Sequence, residues 1–124
     1  MTRFTETELG TIAALLKALA HDVRLKLVYT LLERGETSVG ELESLTGIGQ
    51  PGLSQQLAIL RKAELVKTRR DAKLVFYSLV PETLQGTAKL LRALSTSPHE
   101  ALGTERARAR SRVRGSAASF AKMV

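Results

Sequence analysis

The chain contains no cysteine. Disulfides, thiolate nucleophiles and zinc–thiolate sites are excluded together by that one absence. Its two histidines, His21 and His99, stand far apart in sequence. No apolar run approaches the roughly 18 residues that a membrane helix needs. The first ten residues, MTRFTETELG, are polar and acidic rather than a secretory signal. No internal repeat is visible. Phosphate loops, metal-ligand clusters and a nucleophile with a convincing base are also missing. His21 beside Asp22 at a helix start reads as structural, and Glu41 and Glu43, two apart, do not share a helix face. These gaps predict a cytoplasmic, non-enzymatic protein with no metal, no cofactor and no membrane partner.

What is present is modest in size and basic. At 124 residues and 44% hydrophobic, the chain suits one globular domain with a small core. Its net charge is +7. Residues 96–124 carry six Lys/Arg against two Glu, whereas residues 1–95 carry thirteen against ten acids. The front part is therefore only mildly basic, and its cations matter only where they cluster. A basic balance suits a polyanion, nucleic acid or an anionic surface, and it also suits a merely solvated exterior.

Apolar spacing divides residues 1–95 into helices and a hairpin. Leu9, Ile12, Leu15, Leu16 and Leu19 predict an amphipathic helix over about Thr7–Ala20. Its apolar face is wide enough to require burial, in the core or against a second subunit. A second helix starts at His21–Asp22, is apolar on most sides as a central helix would be, and ends before Gly35. Thr37 or Ser38 caps a third, with Glu41 at capping-box spacing from Ser38. Gly47 ends it, and Gly47 and Gly49 are positions where positive φ is cheap. Pro51 suits the first turn of a fourth helix, whose buried stripe is Leu53, Leu57 and Leu60. Leu65–Arg69 and Leu74–Leu79 read as strands joined by the short polar connection Arg70–Lys73. A fifth helix begins at Pro81–Glu82, with Leu84, Ala88, Leu91 and Leu94 on one side. Residues 96–124, rich in Ser, Ala and alternating Arg, read as a basic, flexible tail.

The fold class is thus mainly α with a small β-hairpin, in the order of a winged helix-turn-helix. In that arrangement the second helix of the pair enters the major groove. Gln50 and Gly52 stand at its start, and Ser54, Gln55, Gln56 and Arg61 lie off its buried stripe. Gln pairs with adenine N6 and N7, and Ser meets bases or phosphate. Taken alone, Ser-Gln-Gln is only a polar helix face; the tight turn before it and the basic hairpin after it favour DNA reading. Lys67, Arg69, Arg70 and Lys73 gather at the hairpin with Asp71 as the one acid, suiting a phosphate backbone or a minor groove. A basic edge also discourages strand pairing between molecules. Ser38 is either an ordinary cap or a phosphate contact at a helix N-terminus. Arg24 either anchors a phosphate or covers apolar surface with its stem. The tail's arginines add non-specific DNA affinity or only solubility.

The stretch ALAHDVRLKLVYTLLERGETSVGELESLTGIGQPGLSQQLAILRKAELVKTRRDAKLVFYSL resembles the ArsR/SmtB family of bacterial repressors. GIGQPGLSQQLAILR followed by VKTRRDAKLVFYSL is similar to its BigR/HlyU-type branch. The resemblance covers Leu15–Leu79 closely and Leu9–Leu94 in pattern. It implies a homodimer held by the first and last helices, here through Leu9, Ile12, Leu16, Leu84, Leu91 and Leu94. It also implies a palindromic promoter site, repression by blocking polymerase, and release by an inducer. The alternative is a nucleoid-type architectural protein with little sequence preference.

The trigger is where the chain departs from the family. Metal-sensing members carry thiolates in the third helix, or His and carboxylates in the last. Here Ser38–Leu42 has no thiol and Glu82–Leu94 no histidine. BigR-like members use one cysteine in the second helix and one near the end of the last. The first of these maps onto Tyr29 and the second falls near Ser95–Ser97, so a dithiol switch is chemically impossible here. Three triggers remain: a small organic ligand between the dimer helices near Tyr29, regulation by the tail, or constitutive binding controlled by abundance.

Overall fold

The structure, a computed structural model, describes residues 3–96. The chain divides into two compact units, residues 1–88 and 89–124. Of the second, residues 89–96 are described and are helical. Of the tail expected over residues 96–124, Thr96 is the last residue of the final helix and residues 97–124 lie outside the described residues.

Helix α1 spans Glu6–Leu19. The Thr5 hydroxyl accepts from the Glu8 amide at 3.0 Å, and the Glu8 carboxylate accepts from the Thr5 amide at 2.8 Å. This capping box sets the start at Glu6, one residue ahead of the expected Thr7. Helix α2 spans Asp22–Arg34. His21 is its cap, with Nδ1 accepting from the Val23 amide at 3.2 Å, and Asp22 is a first-turn acid. Strand β1 is Thr37–Ser38, followed by α3 at Val39–Thr46 and α4 at Gly52–Lys62. Ser38 and Glu41 form the expected capping box of α3. Gly47 closes α3 in the left-handed region at φ 75°, where a Cβ would be strained. Gly49, expected to share that role, does not have a positive φ. Pro51 is the N-cap of α4 and not its first helical residue.

Strands β2, Val66–Asp71, and β3, Leu74–Leu79, pair antiparallel, with Arg70 opposite Val75 and Asp71 opposite Leu74. Their turn is only Ala72–Lys73, tighter than the four-residue connection expected. The sheet is a correction to the simple hairpin: β1 pairs with β3, Thr37 opposite Tyr77 and Ser38 opposite Phe76, giving three strands in the order β1-β3-β2. One turn of 3-10 helix at Pro81–Leu84 leads into α5, Gln85–Thr96.

Leu27 and Leu31 of α2, Leu42 of α3, and Leu53, Leu57 and Leu60 of α4 are fully buried. Each such leucine contributes roughly 1.5–3 kcal/mol of transfer free energy. They fix α4 against the domain by one stripe and leave its other side outward. Helix α2 departs from the expectation of burial on most sides. Leu25, Tyr29 and Leu32 are 50%, 57% and 67% exposed.

Thr87 is buried, and its hydroxyl has no partner among the described residues. It lines a cavity of about 260 Å³ with Ile12 and Leu15. An unpaired buried hydroxyl costs stability that a methyl of the same shape does not. Thr87→Val is therefore expected to leave stability unchanged or raise it by about 1 kcal/mol, read by urea unfolding. A loss of that size would mean that the hydroxyl finds a partner in solution.

Candidate nucleic-acid interface

The outward side of α4 carries Ser54, Gln55, Ala58, Ile59, Arg61 and Lys62, all exposed. Several of its polar groups are already engaged. Pro51 offers no side-chain cap, and Gln50 supplies one instead. Its Oε1 accepts from the Ser54 amide at 3.1 Å and from the Ser54 hydroxyl at 2.7 Å. Gln50 and Ser54 thus hold the helix start together. Gln56 Oε1 accepts from Arg24 Nη1 at 2.9 Å, and Arg24 Nε donates to the Ala18 carbonyl. Arg24 is therefore a brace between the end of α1 and α4. Gln55 has no side-chain partner among the described residues, nor does Arg61. Gly52, at the first turn, is half-buried.

Lys62 was not singled out from the sequence. It lies seven residues after Gln55, two turns along the same side, with exposed Ala58 and Ile59 between them. The 3.6-residue period from Gln55 was the available signal.

Ser38 is 7% exposed, and its hydroxyl both donates to Glu41 Oε1 at 3.1 Å and accepts from the Glu41 amide at 3.2 Å. Of its two readings, cap and phosphate contact, the geometry favours the cap.

The wing separates its cations into two kinds. Arg69 makes a bidentate pair with Glu36, at 2.9 and 3.0 Å, and lies 3.9 Å from Asp71. Its guanidinium also sits 4.7 Å over the Phe76 ring, a cation–π geometry. Arg69 thus ties β2 to the loop ahead of β1. Lys67, Arg70 and Lys73 are exposed and form no ion pair among the described residues. Lys73 stands in the turn and Arg70 one residue before the end of β2, and with Lys67 they are the wing's uncompensated positive charge among the described residues.

The Arg69 hydrogen bond holds the Glu36 carboxyl below the usual carboxylate range, and Glu36 raises Arg69 in turn. A carboxylate lowered on folding lends stability that is full above its unfolded value and drains as pH falls through the folded one. The brace is therefore intact at neutral pH and is lost in acid, at a lower pH than an unpaired glutamate would protonate. Glu36→Gln would leave Arg69 without its main compensating charge at neutral pH. The expected result is tighter binding to bulk DNA and a salt slope steeper by up to about 0.9 per phosphate gained, measured by anisotropy across salt concentrations. An unchanged slope would place Arg69 away from phosphate.

Among the described residues no cluster of His, Asp or Glu could hold a metal, and no helix is long and apolar enough to cross a membrane.

A helix-turn-helix with its second helix presented outward, followed by a basic hairpin that pairs back onto β1, defines a winged helix-turn-helix DNA-binding regulator. The description "Bacterial regulatory protein, arsR family" matches residues 21–68. The chain is 54% identical over 91 residues to the biofilm growth-associated repressor of Xylella fastidiosa, covering 73% of this chain and 76% of that protein. It is 45% identical over 80 residues to the transcriptional activator HlyU of Vibrio cholerae, covering 64% and 73%. The crystal structure of the transcriptional repressor BigR from Xylella fastidiosa superposes with a TM-score of 0.58 at 52% identity, over 73% of this chain and 89% of that one. HlyU from Vibrio cholerae gives 0.62 at 41% identity, over 73% and 97%. The chain belongs to the arsR family of bacterial DNA-binding transcriptional regulators, close to BigR and HlyU, and not to a family of enzymes.

Proposed function

We propose that the chain acts in the cytoplasm as a homodimeric repressor that reads a promoter palindrome and is released by a signal. Gln55 is the main base reader, Arg61 and Lys62 flank it, and Arg70 and Lys73 bind phosphate. Gln50, Gly52, Ser54, Gln56 and Ser38 shape and hold the reading elements, and Arg69 holds the wing. The observation that carries the reading is the division of polar groups on α4 and the wing. Gln50, Ser54, Gln56 and Arg69 are spent on partners inside the chain, while Gln55, Arg70 and Lys73 have no side-chain partner among the described residues.

Two helices supply faces for a second copy. On α1, Leu9 and Leu16 lie seven residues apart and are 43% and 37% exposed, whereas Ile12 between them is already buried within the chain. Leu84 lies in the 3-10 turn ahead of α5 and packs half-buried against the core of the first unit, whereas Leu91 and Leu94, three residues apart on α5, are exposed and lie in the second. Large apolar side chains left on two helices favour association. The repressor reading, rather than activation, follows the relative with the higher identity.

The alternative is an architectural protein that binds DNA by charge, favoured by the alternating Arg106–Arg114 of the sequence. One competition titration separates the two. A repressor binds the promoter DNA of its own gene as two protomers per site and prefers it over scrambled competitor by roughly a thousandfold or more. Equal affinity for both DNAs would establish the architectural reading.

A further inference from the structure

The exposed stripe of α2, Leu25, Tyr29 and Leu32, is one wall of a cavity of about 510 Å³ that lies wholly within residues 1–88. Pro81, Leu84 and Ala88 also line it. Leu65, which is 2% exposed, and Leu79 at the end of β3 line it as well. The volume falls within the roughly 300–1,000 Å³ that small-molecule sites occupy.

The chemistry of the lining is one-sided. None of the lining residues carries a charge, and only Tyr29 and Gln85 have side chains that make strong hydrogen bonds. The Tyr29 hydroxyl spends its proton on Glu33, donating to Oε2 at 3.0 Å. What it retains for a ligand is acceptor capacity. The Glu33 carboxylate at that end has no ion-pair partner among the described residues. A carboxylate, sulfonate or phosphate brought there meets like charge with no cation among the lining residues to offset it, and an apolar lining does not repay the desolvation.

We propose that this cavity is a binding site for a neutral, mainly apolar small molecule, aromatic or alicyclic, with a hydrogen-bond donor to meet the Tyr29 oxygen. Occupancy would reach the DNA-binding side through β3, which runs from the wing turn to Leu79 at the cavity. That coupling rests on the DNA reading above, whereas the binding site itself does not.

The test uses two fluorophores of nearly the same body, neutral N-phenylnaphthylamine and the anionic anilinonaphthalene sulfonate, titrated into the full chain without DNA. The expected result is saturable binding of the neutral probe at one per chain, tighter than the sulfonate by at least about tenfold, the scale of one unscreened like charge nearby. Ala88→Trp, at an exposed position on the rim, should abolish binding while leaving the circular dichroism spectrum unchanged. Glu33→Gln should narrow the preference for the neutral probe. Non-saturable uptake, preference for the sulfonate, or indifference to Ala88→Trp would overturn the proposal. So would a fall in sedimentation mass on probe binding, which would assign the cavity to a subunit interface. Loss of operator preference alongside intact probe binding would sink the repressor reading alone.

Discussion

Arg70→Ala combined with Lys73→Ala is expected to lower affinity on every DNA sequence, on the order of a thousandfold at 0.15 M salt. Each phosphate contact contributes about 0.9 to the slope of log affinity against log salt. Two side chains on each of two wings remove four contacts, so the slope should fall by about 3.6. The loss should be the same on operator and scrambled DNA, because phosphate contacts carry no sequence information. Arg69→Ala provides the contrast. Its charge is already matched by Glu36, with Asp71 near, so its removal should change the slope by less than either tip residue. Anisotropy titrations at several salt concentrations read the double variant, Arg69→Ala and Arg70→Ala alone. An Arg69→Ala slope change as large as that of Arg70→Ala would show that the Glu36 pair opens on DNA.

The sequence displayed whatever depended on neighbours. The Ser38–Glu41 capping box, the Gly47 stop and the Leu53–Leu57–Leu60 stripe each need only three or four residues to be read, and the structure has all three. The winged order followed from them. Hidden features depended on residues brought together from a distance. The Arg69–Glu36 pair joins residues 33 apart, and Arg24–Gln56 joins residues 32 apart. No periodicity encodes either one. Strand β1 escaped because two residues give no alternation, and one of them doubles as a helix cap. Gln50 was masked differently: a glutamine ahead of proline gives no sign that it will reach over Pro51 to cap Ser54. Leu25 and Leu32 read as part of a helix apolar on most sides because hydropathy records what a residue prefers and not what covers it. They line an open cavity with Tyr29 instead. The candidate site was therefore legible as a segment, while its division between free readers and braced supports was not.

That division makes Gln55→Ala the most discriminating single substitution. Gln55 is exposed on α4 and free of side-chain partners among the described residues. A glutamine in the major groove can donate to adenine N7 while accepting from N6, and each such bidentate pair is worth roughly 1–3 kcal/mol of discrimination. Two half-sites in a two-fold dimer double this to about 2–6 kcal/mol. Binding to bulk DNA should barely change, and the salt slope should stay as it was, because no charge is removed. Gln56→Ala should behave differently. Its Oε1 is held by Arg24 at 2.9 Å, so only its amide protons are available for a base. The expected loss is smaller, and Arg24→Ala should reproduce part of it by releasing the same side chain. Operator and scrambled DNA titrated side by side at fixed salt measure the difference. Equal losses on both DNAs for Gln55→Ala would remove it as a base reader. A larger loss of preference for Gln56→Ala than for Gln55→Ala would mean that Arg24 lets go when the helix enters the groove.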